Sequence, residues 1–133
     1  MTAKMRSKIR SLVKLKKDLW KLLSELVRRE ELACFTCDKE GDWKNDDGGH
    51  YYHGKKFPVL YFDRRNVHRQ CTGCNRYRNG NLTVYANRLE NLYGYGILQE
   101  LDKLHREIKP PREFFENKLS GYTQTLERLR RIP

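Results

Sequence analysis

Four cysteines carry the clearest chemistry in this sequence. Cys34-Phe35-Thr36-Cys37 and Cys71-Thr72-Gly73-Cys74 are two C-x-x-C pairs, with 33 residues between Cys37 and Cys71. A two-residue gap lets both sulfurs of a pair reach one ion, and two such knuckles close a tetrahedral all-sulfur site on zinc. Redox or disulfide chemistry is the competing reading, but two pairs in one small basic chain favour a metal. With four cysteine ligands no position remains for water. Zinc here is therefore predicted to hold residues 38–70 between its anchors, not to catalyse. Gly73 is expected to provide a positive-φ turn in the second knuckle.

The segment held by the knuckles contains three of the four histidines, His50, His53 and His68. Asn66 and Asn75 lie close to the second knuckle. The order Gly49-His50, Asn66-Val67-His68, Cys71-x-x-Cys74-Asn75 places a histidine at the end of a first strand, an asparagine in a turn and an amide just past a knuckle. Such groups can converge on one hard cation and cut a phosphodiester. Imidazole titrates near pH 6.5, so neutral His50 can take a proton from water. An asparagine carbonyl is a suitable oxygen ligand for Mg²⁺. The plainer reading leaves His53 on the surface and His68 packed against the zinc knuckle.

Charge points to the same partner. The formal net charge of +11 is the footprint of a nucleic-acid binder, with anionic lipid as the competing surface. Residues 4–30 hold ten basic and three acidic side chains and so supply +7 of it. Arg64, Arg65, Arg69, Arg76 and Arg78 flank the histidine–cysteine region and are candidates to grip backbone phosphates, or simply solvated charge. No run of 18 apolar residues exists, so no membrane span is expected. The amino terminus is too charged for a signal peptide, which points to the cytoplasm, where cysteines more often hold metal than form disulfides.

The elements that must position these groups are mostly helical. Residues 4–30 read as one long basic helix with Met5, Ile9, Leu12, Leu19, Leu23 and Leu26 along a seam that Lys16 interrupts. That seam is a candidate dimer interface. Residues 31–80 are richer in glycine, asparagine and aspartate. Asn45–Gly49 reads as a loop, Val59–Phe62 as a short strand, and a helix is expected near Cys71. Leu82, Tyr85, Leu89 and Leu92 share a helical face, Gly94 and Gly96 break it, and the pattern resumes from Ile97 to Ile108. Pro110-Pro111 starts a last helix. The fold class is therefore α+β and mostly helical, divided into an arm (1–30), a zinc-stapled core (31–95) and a carboxy-terminal helical region (96–133). With 38% hydrophobic and 34% charged residues the core is modest, so a metal or dimer interface is expected to support it.

The chain resembles a known family, the NinG/Rap recombination endonucleases of lambdoid phages, within the wider His-Me finger (HNH-like) nucleases. The resemblance rests on Cys34-x-x-Cys37, Gly49-His50-Tyr51, Leu60-Tyr61-Phe62-Asp63 and Asn66-Val67-His68-Arg69-Gln70-Cys71-x-x-Cys74-Asn75, and continues through Gly80-Asn81-Leu82, Tyr85 and Leu89. It implies a ββα-metal core and cleavage of branched DNA such as Holliday junctions and D-loops. By position, His50 would be the general base and Asn75 a ligand of the catalytic Mg²⁺ or Mn²⁺. Related nucleases often have an aspartate just before the base, where this chain has Gly49. His68 is the first candidate for the second ligand, with Asp47 or His53 as substitutes. The implied protein is a divalent-metal-dependent endodeoxyribonuclease with structural zinc, a homodimer acting on DNA, in the host cytoplasm if phage-encoded. The alternatives are a non-catalytic zinc-dependent DNA-binding module, in which His50 and Asn75 have no task, and a helical adaptor whose knuckle is only structural.

Overall fold

A serine just before the first long apolar stripe decides where that helix starts. Ser11 Oγ accepts the Lys14 N–H at 3.1 Å, satisfying a first-turn donor that no carbonyl can reach. Helix α1 therefore runs Leu12–Glu30 in the computed structural model, which describes residues 10–132. The expected start near residue 4 is corrected, because Arg10 and Ser11 are not helical; Met5 and Ile9 lie outside the described residues. The buried stripe is Leu15, Leu19, Leu23, Leu26 and Val27, while Leu12 and Val13 are exposed.

The stripe is covered by α5 (Arg112–Arg130), which follows Pro111 as the prolines predict. Phe115 and Leu126 of α5 join α1, Phe62 and Val67 in one core. Arg130 ties the two helices through Glu25 at 2.8 Å, and Tyr122 Oη donates to the Phe62 carbonyl at 2.7 Å. The part of the seam from Leu19 to Leu26, read as a dimer interface, is thus occupied within the chain.

Against α1 packs a two-stranded antiparallel sheet, β1 (Asp47–His50) and β2 (Val67–Gln70), with Gly49 opposite His68 and His50 opposite Val67. So short a ribbon is not stable alone, and both its faces are packed. Leu60 of α2 (Pro58–Tyr61) shares a second core with α3 (Leu82–Tyr93) and α4 (Ile97–Lys103), built on Tyr85, Leu89, Ile97 and Leu101. The α+β class, mostly helical, agrees with the sequence.

Three local expectations are corrected. Asp47–Gly49 are strand, with only Trp43–Asn45 forming a 3-10 turn. Residues 59–61 are helical, because Pro58 fixes φ at the first helical position and the Phe62 N–H returns to its carbonyl at 3.1 Å. The pattern resuming at Ile97 ends at Lys103, and Ile108 is exposed. The break before it stands: Gly94 has φ 98° as the α3 cap, a conformation glycine adopts freely.

Candidate functional site

All four cysteines are free, and their sulfurs lie within 4.8 Å of one another, Cys37 and Cys71 at 3.6 Å. Tetrahedral zinc at Zn–S of ~2.3 Å spaces its sulfurs about 3.8 Å apart, so the set fits one zinc ion. In the first knuckle the chain turns at Asp38, whose φ is 66°, and the Asp38 N–H returns to the Cys34 carbonyl at 2.9 Å. In the second, the Cys74 N–H points at Cys71 Sγ at 3.4 Å. Gly73 has no positive φ and lies in a helical turn, Gly73–Tyr77, so the left-handed residue is in the other knuckle. Burial and the neighbouring thiols push Cys37 up to about 12. Cys34 falls to about 7, because hydrogen bonds from Thr36 and from backbone N–H groups outweigh its burial. The Cys34 thiolate forms readily while Cys37 and Cys71 are held protonated, a conflict that a divalent cation would resolve.

The centre is tied to the sheet. Thr36 Oγ1 lies 3.5 Å from Cys34 Sγ and accepts from Gln70 Nε2 at 3.1 Å, and Gln70 also donates to the Gly80 carbonyl. Gln70 fills the space over Gly49. A Cβ on Gly49 would overlap Gln70 Oε1 and lie 2.7 Å from its Cδ. On the opposite face, a Cβ on Gly48 would lie 3.2 Å from Ser24 Cα of α1. The two glycines let helix and glutamine close on β1, and they leave no room for an aspartate before His50.

His50 ends β1 and is 6% exposed, stacked on Trp20 (centroids 4.6 Å) and Tyr61 (4.1 Å). Its Nε2 lies 2.9 Å from the Tyr61 carbonyl, which can only accept. Nε2 therefore carries the proton, and Nδ1 holds a lone pair with no hydrogen-bond partner among the described residues. Burial pulls its pKa down to about 4 against the support of that carbonyl.

The other predicted site residues divide. Asn75 Nδ2 donates to Asp47 Oδ2 at 3.1 Å, and Arg76 pairs with the same carboxylate at 2.9 Å. These three line a polar groove of about 400 Å³ with Trp20, Arg28 and Gly48. Asp47, named only as a substitute ligand, is thus the carboxylate beside Asn75. The structure does not bring His68 there. It lies on the sheet face opposite His50, stacked on Phe35 of the first knuckle at 3.9 Å, with Nδ1 2.9 Å from Glu31 and Nε2 3.1 Å from the Arg65 carbonyl. Both nitrogens face protein acceptors, which leaves neither for an ion. His53 is exposed, its ring 6.2 Å from that of His50. Asn66 is fully buried and clamps the main chain at Tyr52 and Leu60.

Among the arginines, Arg69 is 3% exposed and bound to Asp46 and to the carbonyls of Glu31 and Gly41. Arg64 pairs with Glu30 and Glu31, and Arg65 with Asp63 and Glu100. These three hold the fold together. Arg76 and Arg78 are exposed. Sequence reasoning quoted Tyr61 only within the Leu60–Asp63 string, with no role beside His50, and Trp20 gave no signal beyond its place next to the helical seam.

A four-cysteine cluster that could hold a zinc ion, beside a two-stranded sheet and two long helices, defines a small α+β protein. The chain belongs to the family of the bacteriophage lambda NinG protein, whose model matches residues 2–131. It is 33% identical over 105 residues to Protein ninG of Escherichia phage 933W, covering 77% of this chain and 51% of that protein. Its similarity to Protein ninG of Salmonella phage P22 is 32%, and of Escherichia phage lambda 31%, each over 77% of this chain and 50% of the relative. The chain thus spans about half the length of these curated relatives. No solved structure matches it. Among the described residues no helix is long and apolar enough to cross a membrane.

Proposed function

We propose that this chain is a divalent-metal-dependent endonuclease that cuts branched DNA, Holliday junctions and D-loops, with His50 as the general base. The observation carrying this reading is the fixed tautomer of His50. A base must hold a free lone pair at working pH, and His50 combines a protonated Nε2 with an unpartnered Nδ1, on a ring that burial keeps neutral. Family membership and the Asn66–Asn75 string support it further.

Asp47 and Asn75 are hard oxygen donors of the kind Mg²⁺ or Mn²⁺ accepts, one carboxylate and one amide, with substrate and water completing the shell. Bound there, a divalent cation supplies charge neutralisation at the scissile phosphate. Arg28 and Arg76, on the groove walls, hold flanking phosphates. His50 Nδ1 takes the proton of the attacking water as its oxygen bonds to phosphorus. The P–O3′ bond breaks, the 3′ oxygen leaves with the bonding pair and takes a proton from solvent water, and the products are a 5′-phosphate and a 3′-hydroxyl. Resolution needs two opposed cuts, which a two-fold homodimer provides, and such work on phage DNA takes place in the host cytoplasm.

The test is cleavage of a four-way junction with and without Mg²⁺ or Mn²⁺. His50→Ala is expected to lose ~10²–10⁴ in rate while keeping zinc and DNA affinity. Asn75→Ala is expected to need more metal, with partial rescue by Mn²⁺. Wild-type protein that binds junctions but never cuts them would retire this reading in favour of a zinc-stapled DNA-binding module.

A further inference from the structure

A second cavity, of about 250 Å³, is lined by Trp20 and Tyr61, the two rings stacked on His50. Val13, Pro58 and Phe62 add apolar surface to its lining, and Lys16, Lys17 and Lys55 add three cations. Trp20 lines both this cavity and the groove holding Asp47 and Asn75. The lining contains no acidic residue. Its volume falls just under the ~300–1,000 Å³ of drug-sized sites, enough for one planar ring system.

We propose that this cavity is a subsite for one unpaired nucleotide, its base stacked against Trp20 and Tyr61 and its phosphates held by Lys16, Lys17 and Lys55. Every base has a π-face, so an aromatic lining accepts any base that has left its stack, and lysines in the same lining select a ligand carrying phosphate. A purely apolar ligand would leave three ammonium groups idle. In a paired duplex the bases are stacked on one another, and none enters. A D-loop carries unpaired nucleotides in its displaced strand, and in an open four-way junction the pairs at the crossover lack a stacking neighbour on one side and part most readily. The cavity therefore gives the proposed nuclease its preference for branched over linear DNA. The inference rests on that reading for its link to cleavage, and on the cavity's own chemistry for binding.

The test uses full-length protein with Trp43→Phe, which leaves Trp20 as the one tryptophan, and omits added divalent cation so that DNA stays intact. An oligothymidylate strand is expected to quench Trp20 emission, and a blunt duplex of equal length to bind with little quenching. Replacing Lys16, Lys17 and Lys55 together with alanine should weaken oligothymidylate binding at least tenfold. It should also flatten its log–log salt dependence by about 2, at ~0.7 per single-strand phosphate contact, with circular dichroism unchanged. Equal quenching by duplex and single strand, or no quenching, overturns the subsite, as does an unchanged salt slope in a folded triple variant. Junction cleavage is measured on the same preparations. Protein that cuts junctions without quenching keeps the nuclease and loses the subsite. Protein that is quenched by single strands but never cuts keeps the subsite and loses the nuclease.

Discussion

Burial against Trp20 and Tyr61 holds His50 near pKa 4, well under the ~6.5 of an exposed imidazole. The unfolded chain, with the ordinary value, binds the proton first as pH falls. Stability contributed by neutral His50 is therefore complete above about pH 6.5 and is lost progressively towards pH 4, by about 3 kcal/mol at most. Urea unfolding at pH 7, 6 and 5 should show a smaller acid loss for His50→Gln than for wild type; parallel losses would mean that another group sets the acid limb. For the same reason, the protonation of His50 should not limit cleavage between pH 6 and 8. Gly49 raises a different residue-scale expectation. Its missing Cβ is the space that Gln70 occupies, and Gln70 is held by Thr36 and Gly80. Gly49→Ala should cost ~1–3 kcal/mol through overpacking, read as a lower urea midpoint with an unchanged m-value. A variant of wild-type stability would show that Gln70 swings aside freely.

The sheet is too short to stand alone, and the four-cysteine cluster is its nearest support. Strand β2 ends at Gln70, next to Cys71, and the Thr36–Gln70 link joins the sulfur cluster to β2. Zinc bound by the four cysteines adds its binding free energy to folding, ~10–16 kcal/mol in zinc-finger peptides. One zinc per chain is expected by metal analysis, and Cys71→Ser or a strong chelator should unfold residues 34–80. The α1–α5 pair has its own core, so much of the far-ultraviolet helical signal should survive. A folded, metal-free protein with native near-ultraviolet dichroism would remove zinc as the staple. Three of the arginines offered for DNA contact instead knit these elements together: Arg64 and Arg69 join β2 and its approach to the end of α1, and Arg65 reaches α4.

On the scale of the whole molecule, net charge and its placement set how DNA is met. The exposed cations Lys17, Lys21, Lys44, Arg76 and Arg78 include groups near the two cavities, whereas the buried arginines are spent on internal carboxylates. If about six phosphates are neutralised, log–log salt dependence on duplex DNA should have a slope near −5. A slope near zero would exclude nucleic acid as the main partner. Because α5 covers the part of the seam from Leu19 to Leu26, a two-fold dimer of the proposed nuclease would not use that part.

What the sequence determined by itself is local or compositional. Paired cysteines at two-residue spacing, apolar stripes at helical period, prolines at a helix start and a basic excess each carry their meaning within a few residues. These suffice for the zinc centre, the main helices and the family resemblance. His50 at a strand end was legible for the same reason. The partners of buried polar groups were not. His68 and Arg64 meet Glu31 at separations of 37 and 33 residues, and Asn75 meets Asp47 across 28. Whether a histidine or arginine faces a ligand or a carboxylate of its own chain depends on which distant segment packs over it, and periodicity has no access to that. Val59–Tyr61 shows the same limit in the backbone: an apolar run suits strand or helix, and Pro58 with its tertiary setting selected helix. Only folding brought Trp20, Tyr61 and His50 together, because they stand on α1, α2 and β1, three elements separate in the chain that meet only where the apolar sides of the helices pack over the strand.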